Sequence, residues 1–502
     1  MNLHLGQLLA QRAELTPHRE AFVASDGRWT WAEFEQRCRA FSAWLIAQGV
    51  QEGDRVAILA RNSEFLVNAL FAVARTGAIA VVMNWRLQPA ELEYILGDSD
   101  PVGLLYEDVF EAVAQDLQAT RSLRFSLCRG GARDGYAAAI ATSTEGVQVT
   151  RGPGGKACAA IMYTSGTTGR PKGAMLPHEA LVWTAQANAA SLVWHHDHRF
   201  LLVAPLFHIG GLSPLITNVL TGCSTVLLPE FDPVKVWQVI AEERITTMMC
   251  VPLMLQALLM VAQKMPVDAS SLVSVTCGAS PVPVQLIEAA RAKGIFVQQV
   301  YGITEFCGAT CFWTREMGIE HAHTQGKPAM FCEVKVVDPI TLQSLPGGED
   351  GELWCRGPMC FSGYWRNQSA TQAALHAGWY RSGDIARIDA QGFVVIVDRL
   401  KDLIISGGEN IYPAELEAVI ASLPGVAEVA VIGRADDRWG EVPVACVVRR
   451  PEAAIGAADV VQICREKLAG YKCVKAVEFV EALPRNPVGK VLKQELRRRG
   501  SA

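Results

Sequence analysis

The order of apolar and polar positions predicts alternating strands and helices from the start of the chain. Residues 56–60 and 78–83 are short apolar runs typical of buried strands, and residues 63–75 between them predict a helix that ends at Gly77. A strand, a helix and a second strand in this order predict a parallel pair of strands with both faces buried.

A hairpin and a capped helix are predicted ahead of this unit. Asp26 and Gly27 lie between two strand-like runs at residues 21–25 and 28–31, which is a hairpin signal. Thr30 and Glu33 form the capping-box pattern of a helix start, and Gly49 is the predicted stop. The apolar positions expected on the buried face of this helix are Phe34, Cys38, Phe41 and Leu45.

The same alternation continues to about residue 333 and then changes. Strand-like runs recur through the middle of the chain, at residues 201–204, 224–228, 246–251, 274–277 and 296–300. Short β segments separated by Gly and Pro come next, and a compact tail with helices and strands begins after Arg399. We therefore predict an α/β fold with a large N-terminal domain (residues 1–399, β-rich near its end) and a small, mobile α+β domain (residues 400–502).

Composition narrows the class of protein. The chain has 502 residues, 50% of them hydrophobic, and a net charge of −5 from 46 basic and 51 acidic side chains. This balance argues against a nucleic-acid partner bound by bulk charge, and the lack of an apolar run of about 18 residues predicts no transmembrane segment. The 14 cysteines form no C-x-x-C pair and no signal peptide opens the chain, so we expect reduced thiols and a cytoplasmic protein. The oligomeric state stays open, with a homodimer as one candidate.

The sharpest local motif is YTSGTTGRPKG at residues 163–173, directly after a predicted strand. Its glycines let the backbone approach a ligand, and its hydroxyls and lysine are donors suited to phosphate oxygens. It is not a Walker A loop, because Gly173 follows the lysine where a Mg²⁺-binding hydroxyl would stand. The candidate nucleotide-binding residues are Thr164, Ser165, Gly166, Thr167, Thr168 and Lys172.

Further motifs follow in a fixed order over nearly the whole chain. They are PLFHIGG at 205–211, YGITE at 301–305, GELW at 351–354, GYW at 363–365, GWYRSGD at 378–384, DRLKD at 398–402, SGGENIYP at 406–413 and PRNPVGK at 484–490. Together with the phosphate loop they resemble the AMP-forming adenylate synthetases, a family that includes acyl- and aryl-CoA ligases, peptide-synthetase adenylation domains and beetle luciferases. Within it, the chain is similar to bacterial feruloyl-CoA and medium-chain acyl-CoA ligases.

The resemblance implies an activity in two steps, with ATP, Mg²⁺ and CoA as cofactors and a small carboxylic acid as substrate. The acid attacks the α-phosphorus of ATP to give an acyl-adenylate and pyrophosphate, and the thiol of CoA then displaces AMP. By resemblance, Lys490 contacts the carboxylate and the bridging region, and a lysine suits this reach. Glu305 would hold Mg²⁺ with Thr304 beside the phosphate, and Thr164 is a second metal candidate.

The nucleotide contacts also follow from the resemblance. Tyr301, with Gly302 beside it, would stack on adenine. Asp384 and Arg399 match ribose-contacting positions, and an ionised carboxylate suits two ribose hydroxyls. The wall near the adenine and the acyl group would contain Gly278, Ala279 and Ser280.

Phe207 and His208 match an aromatic–histidine pair of the family. In that pair the aromatic residue gates the acyl site, and the two residues together help to place the carboxylate. A lone histidine is as often structural, so both readings stay open. The nearby cluster of His195, His196, Asp197 and His198 has a spacing that suits no tetrahedral zinc site well, and we interpret it as a solvated loop.

The second half-reaction would use the C-terminal domain after a rotation. By resemblance, Lys401 aligns with the family hinge. Lys401, Gly407 and Gly408 are counted among the cofactor-binding positions. The small size of the two glycines leaves room for a pantetheine arm. This favours free CoA; the alternative is an enzyme that loads a separate carrier protein. Oxygen chemistry of the luciferase kind cannot be established from ligase motifs.

The acid itself is predicted from three segments around residues 207–212, 276–279 and 303–309. Their glycines and alanines predict a roomy acyl pocket, and none of the three holds Arg or Lys. A second buried carboxylate would lack a partner, so dicarboxylates are disfavoured. What remains is an aromatic acid such as a hydroxycinnamate, or a medium-chain fatty acid.

Overall fold

A computed structural model of the chain divides into two compact units. Unit 1 comprises Met1–Val334 and Cys355–Arg381, and unit 2 comprises Lys335–Trp354 and Ser382–Ala502. The structure describes residues 4–145, 154–164, 171–280, 282–406, 409–436, 438–451, 453–468, 470–485, 489 and 491–499. The domain boundary predicted after residue 399 stays a prediction.

Helices and strands alternate through most of the chain. The helices are α1 (Leu5–Leu15), α2 (Trp31–Ala47), α3 (Glu64–Thr76), α4 (Pro89–Ser99), α5 (Glu111–Thr120), α6 (Tyr136–Ala139), α7 (His178–Ser191), α8 (Ile209–Thr221), α9 (Pro233–Glu242), α10 (Pro252–Lys264), α11 (Val284–Arg291), α12 (Gln368–Ala374), α13 (Pro413–Ala421), α14 (Ala457–Lys467) and α15 (Lys493–Arg499). The strands up to residue 303 are β1 (Glu20–Ala24), β2 (Gly27–Thr30), β3 (Arg55–Leu59), β4 (Ile79–Val82), β5 (Gly103–Glu107), β6 (Phe125–Arg129), β7 (Cys158–Thr164), β8 (Lys172–Pro177), β9 (Arg199–Leu202), β10 (Ser224–Leu227), β11 (Thr247–Cys250), β12 (Ser274–Gly278) and β13 (Val297–Ile303). The later strands are β14 (Gly308–Trp313), β15 (Lys327–Pro328), β16 (Glu333–Val337), β17 (Gly351–Arg356), β18 (Gly363–Tyr364), β19 (Leu375–His376), β20 (Trp379–Ile388), β21 (Val394–Arg399), β22 (Ile404–Ser406), β23 (Glu409–Ile411), β24 (Val426–Asp436), β25 (Gly440–Arg449) and β26 (Ala476–Phe479).

Two sheets form the framework of the described part of unit 1, and both have parallel centres. One has the order β15-β14-β13-β12-β11-β9-β10-β1-β2 and is parallel from β13 to β1. The other has the order β18-β8-β7-β4-β3-β5-β6 and is parallel from β7 to β6. The predicted strand–helix–strand unit is the pair β3–β4, in which Val56 lies opposite Ala80. The central strands β3, β4 and β5 of the second sheet are rich in buried apolar residues, as strands covered on two faces require. The central strands of the first sheet also bury polar residues, among them Thr276, Gln298 and Gln299.

The local predictions at the N-terminus are confirmed. Strands β1 and β2 form the hairpin, and the Thr30 side chain accepts from the Glu33 N–H while the Glu33 carboxylate accepts from the Thr30 N–H. The four residues expected on the buried face of α2 are all fully buried. Helix α3 ends at Gly77 with φ of 83°, a conformation that favours glycine.

A buried histidine connects the N-terminal helix to α7. The His178 Nδ1 accepts a hydrogen bond from the Leu5 N–H at 3.3 Å, and the His4 ring lies 5.8 Å away, edge to face. The His178 Nε2 is buried and has no hydrogen-bond partner among the described residues. Burial, with His4 nearby, lowers the pKa of His178 to about 3, so this ring is neutral in the folded chain.

Unit 2 holds most of a β-rich segment and the predicted α+β tail. In the first, β20 pairs with β21 in antiparallel fashion. In the tail, the sheet has the order β23-β22-β25-β24 with β26 parallel to β25, and α13 and α14 pack on its apolar cluster. These elements fall within a few residues of the predicted ones. In the described part of the chain, no helix is both long and apolar enough to cross a membrane.

Candidate active site

The predicted site residues of unit 1 lie where parallel strands end. The PLFHIGG segment follows β9, Gly278 ends β12, Tyr301 and Gly302 are near the end of β13, and Thr164 ends β7. Carboxyl ends of parallel strands meet at one edge of a sheet, where α/β folds bind their ligands. The PLFHIGG segment, Gly278, Tyr301 and Gly302 therefore lie at one edge of the same sheet, whereas Thr164 ends a strand of the other sheet.

Glu305 is held in a buried position by Tyr364. Glu305 lies in the 3₁₀ turn Thr304–Phe306 after β13 and is 8% exposed. The Tyr364 hydroxyl donates to its Oε1 at 2.7 Å, and the Phe361 N–H donates to its carbonyl at 2.9 Å. The Lys172 ammonium lies 5.3 Å from the centre of the Tyr364 ring. Tyr364 thus connects the lysine of the phosphate loop to the predicted metal ligand.

This arrangement fits a magnesium ion. One oriented carboxylate beside phosphate-binding groups is the donor set that Mg²⁺ uses when it bridges phosphates. The Tyr364 hydroxyl occupies Oε1, and the Glu305 Oε2 has no hydrogen bond to another described residue. An outer hydrogen bond of this kind orients a metal-binding carboxylate.

His208 is a neutral ring with one defined hydrogen bond. It caps α8, and its Nδ1 accepts from the Gly210 N–H at 3.1 Å. Burial lowers the pKa of His208, which favours the neutral ring. Because Nδ1 accepts the Gly210 N–H, the hydrogen of a neutral ring lies on Nε2. The role of His208 in placing the carboxylate stays a prediction.

Asn62 clamps the segment that precedes His208. Asn62 follows β3 in the other sheet and is 4% exposed. Its Nδ2 donates to the Ala204 carbonyl at 2.9 Å, and its Oδ1 accepts from the Leu206 N–H at 3.0 Å. The side chain thus pairs with the backbone of this segment as a neighbouring strand would. Sequence reasoning missed Asn62, because its partners are more than 140 residues away.

Phe207 packs against residues that follow β4. Its ring meets Trp85 edge to face at 6.4 Å, and the Arg86 guanidinium lies 5.9 Å from its centre and 4.8 Å from that of Trp85. Burial lowers the pKa of Arg86 from its ordinary value, with Glu230 acting in the opposite sense. The three segments predicted to line the acyl pocket hold no cation, but the fold brings one next to Phe207.

The predicted adenine wall is tightly built. A Cβ on Gly278 would lie 2.3 Å from the Val300 carbonyl, and one on Gly302 would lie 2.5 Å from the Gly308 carbonyl, so neither site admits a side chain without movement. Ala279 has φ of 67° and, like Ser280, is exposed. Tyr301 is half-buried.

The described residues include Thr164, at the start of the predicted phosphate loop, and Lys172, near its end. Thr164 and Lys172 lie opposite each other in the β7–β8 pair, and the Thr164 Oγ1 reaches the Lys172 carbonyl at 3.5 Å. The predicted residues Ser165, Gly166, Thr167 and Thr168 lie outside the described residues.

In unit 2, the two predicted ribose contacts lie side by side. Asp384 on β20 is opposite Arg399 on β21, and the Arg399 Nε lies 2.6 Å from the Asp384 Oδ1. Asp384 is 1% exposed. Lys401 lies in the 3₁₀ turn Leu400–Asp402 that follows β21. Three further predicted residues, Gly407, Gly408 and Lys490, lie outside the described residues.

Three residues of the histidine cluster after α7, namely His195, His196 and Asp197, are exposed, and His198 is half-buried. Potential ligand atoms of the three exposed residues lie within 4.8 Å of one another. Asp197 also pairs with Arg19 at 3.2 Å.

Comparison with known proteins identifies the family. The family described as AMP-binding enzyme matches residues 9–365, and its C-terminal domain matches residues 415–490. The chain belongs to the AMP-binding enzymes. It is 36% identical over 501 residues to the long-chain-fatty-acid–CoA ligase FadD13 of Mycobacterium tuberculosis, with 99% of both chains covered. It is 38% identical over 499 residues to a feruloyl-CoA synthase of Amycolatopsis sp., again with 99% of both covered.

A solved structure supports the same assignment. The o-succinylbenzoate CoA synthetase of Bacillus subtilis in complex with ATP and magnesium superposes with a TM-score of 0.87 at 33% identity, covering 97% of this chain and 98% of its own. The predicted fold class and the predicted class of enzyme, an AMP-forming acid–CoA ligase that uses ATP, Mg²⁺ and CoA, are confirmed by these AMP-binding relatives.

Proposed function

We propose that this acid–CoA ligase activates an apolar monocarboxylic acid, either an aromatic, hydroxycinnamate-like acid or a medium-chain fatty acid. The observation that carries this proposal is the apolar surroundings of His208, where Gly210 on the first turn of α8 has no side chain. Gly210 is half-exposed, with the Met249 methyl 3.3 Å from the position of its missing Cβ. The His208 Nδ1 lies 3.4 Å from the same position. Phe207 and Met249 therefore place apolar side chains beside His208.

Each step of the two-step reaction would use particular residues of this chain. In adenylation, the His208 Nε2–H would hold the acid's carboxylate, and Lys172 with the phosphate loop would hold phosphate oxygens. Glu305, oriented by Tyr364, would hold Mg²⁺, which offsets charge on the phosphates. Lys490 would offset the charge that develops when the carboxylate attacks.

In the second step, we propose that the acceptor is free CoA. The full-length relatives named above are CoA ligases, which favours CoA over the carrier-protein alternative. Lys401 would be the hinge, and the segment of Gly407 and Gly408 would face the pantetheine arm. Lys401→Pro would fix φ in this turn, so adenylate should still form while transfer to CoA slows. Normal transfer would place the hinge elsewhere.

Arg86 bears on the choice between monocarboxylic and dicarboxylic acids. Its guanidinium already lies against the rings of Phe207 and Trp85, so we propose that it supports the aromatic wall and does not pair with a second carboxylate. Dicarboxylic acids are included in the substrate panel because efficient use of one of them would contradict this role of Arg86.

The proposal is tested by CoA-dependent AMP release with a panel of acids. kcat/KM for the best apolar monocarboxylate should exceed that for acetate and malonate by about 10²-fold or more, because several buried methylenes contribute about 0.8 kcal/mol each. Equal use of acetate or malonate would overturn the substrate class. AMP release without CoA but with a carrier protein would overturn the acceptor. We also propose a cytoplasmic homodimer, which light scattering of the purified chain tests.

A further inference from the structure

The segment that contains Lys490 begins and ends at one place in the C-terminal part of the chain. The Leu492 N–H donates to the Pro484 carbonyl at 2.8 Å. One residue further in from each end, Arg485 and Val491 form an isolated antiparallel bridge. The backbone that follows Lys490 directly is therefore paired with the backbone of Arg485.

The two ends of this segment rest on an apolar face of the sheet that contains β24 and β25. Leu483 and Leu496 are buried in one cluster with Ala430 of β24, and Val491 packs against this cluster. Glu428 precedes Ala430 by two residues in a regular part of β24, so its side chain points to the same face. A carboxylate of the sheet thus stands beside the base of the segment.

The Arg485 side chain connects the segment to this carboxylate. Its Nη1 donates to the Gly489 carbonyl at 2.6 Å, and its Nη2 donates to the Glu428 Oε2 at 2.6 Å. A planar guanidinium suits such a task, because it holds two acceptors in a fixed geometry. Both sequence neighbours of Lys490 are therefore held by Arg485, Val491 through the backbone and Gly489 through the side chain.

The exposure of this ion pair separates orientation from stability. The Arg485 and Glu428 side chains are 41% and 44% exposed, and ion pairs as exposed as this one contribute little to the stability of a fold. A group that acts on a transition state, by contrast, is sensitive to displacements of about 1 Å. Loss of the Arg485 side chain should therefore disturb the position of Lys490 more than the folding of the chain.

We propose that Arg485 is a positioning residue for Lys490 in adenylation and that Glu428 holds Arg485 in place. This inference rests on the proposed function, in which Lys490 offsets the charge that develops when the carboxylate attacks, and it deepens that function. Arg485 acts through the residues on both sides of Lys490 and does not bind the acid or ATP. Its loss therefore affects adenylation alone, and only while Lys490 is present.

The test follows the two half-reactions separately with the full chain. Adenylation is measured as pyrophosphate release with 4-hydroxycinnamate and with octanoate, and transfer as thioester formation from CoA and the presynthesised adenylate of the same acid. Arg485→Ala should lower the rate of adenylation by about 10-fold or more and leave transfer close to wild type. Glu428→Gln should lower adenylation by a smaller factor, because the bond from Arg485 to the Gly489 carbonyl remains.

Arg434→Ala is the matched control. Arg434 lies six residues after Glu428 on β24 and pairs with Glu478, with its Nη2 at 2.8 Å from the Glu478 Oε2. This variant loses an ion pair of the same strand without touching the segment of Lys490. It should leave both half-reactions close to wild type.

The decisive measurement is the double variant. Lys490→Ala removes the group that Arg485 positions, so Arg485→Ala in that background should cause no further loss of adenylation. In urea, the unfolding midpoint of Arg485→Ala should stay close to that of the wild type.

Three outcomes would overturn the inference while leaving the proposed function intact. Arg485→Ala could adenylate at the wild-type rate, or it could lose both half-reactions equally. It could also lower adenylation by its full factor in the Lys490→Ala background, which would show that Arg485 acts on the substrates itself. Failure of the proposed function looks different: the wild type would release pyrophosphate with neither acid, or Lys490→Ala alone would adenylate at the wild-type rate.

Discussion

Replacing Asn62 by alanine is expected to disturb the segment of Phe207 and His208 without touching a reacting atom. The change removes the hydrogen bonds to the Ala204 carbonyl and the Leu206 N–H. Leu206 is fully buried, so its unsatisfied N–H costs about 1–3 kcal/mol. Ala204 is half-buried, so we expect the loss of the bond to its carbonyl to cost less. The free energy of unfolding should fall by about 2–4 kcal/mol.

The catalytic effect of Asn62→Ala should exceed what lost stability explains. A shift of about 1 Å in a group that positions substrate lowers a rate by about 10²-fold. We expect kcat/KM for adenylation, followed by pyrophosphate release at a temperature where the variant stays folded, to fall by about this factor.

The control is Ser63→Ala, the neighbouring residue. The Ser63 Oγ caps α3 by accepting from the Leu66 N–H, and its loss costs about 1 kcal/mol without a contact to residues 204–206. This variant should be less stable but adenylate at a rate close to wild type. If Asn62→Ala loses stability and keeps the wild-type kcat/KM, the clamp does not position His208 and the reasoning is refuted.

Three further expectations concern single residues. Lys490→Ala should lower adenylation by about 10²–10³-fold or more and spare thioester formation from presynthesised acyl-adenylate, since an interaction confined to one transition state affects that step alone; an equal loss in both steps would contradict the alternation of domains. Tyr364→Phe should raise the Mg²⁺ concentration for half-maximal adenylation by about 10-fold or more, because Glu305 loses its orienting bond; Tyr163→Phe, whose hydroxyl bonds Asp98 at 2.6 Å, should leave it unchanged. The folded chain should lose about 2 kcal/mol between pH 7 and pH 5 through His178, because the unfolded side chain binds a proton there while the buried one, with a pKa of about 3, does not; His178→Asn should remove this part of the slope in urea titrations.

The elements were predictable because their signals are local. The capping box of Thr30 and Glu33, the stop at Gly77 and the apolar runs of β3 and β4 each involve residues within one turn or one strand. The parallel sense of β3 and β4 followed from the helix between them. Family motifs supplied the predicted nucleotide contacts, and the ribose role of Asp384 and Arg399, which form an ion pair, stays a prediction.

Contacts between residues on different sheets, or on strands far apart in the sequence, were not predictable. Tyr364 and Glu305 are 59 residues apart and meet because β18 pairs with β8 at the edge of one sheet while Glu305 follows β13 in the other. Nothing in the apolar periodicity specifies which strand ends face each other. The role of Asn62 was not predicted for the same reason. An asparagine shortly before a helix is common in turns, so its sequence context does not indicate a distant partner.

The acyl pocket illustrates the physical limit most clearly. Inspection of three segments found no cation, and a wall free of cations argued against dicarboxylic acids. Phe207 also has neighbours from the other sheet, and Arg86, which follows β4, lies 5.9 Å from its ring. Charge in a buried site acts over several ångströms regardless of which segment carries it. The three segments alone therefore could not show that a cation lies beside Phe207, and the role proposed for Arg86 in the aromatic wall comes from its contacts with Phe207 and Trp85.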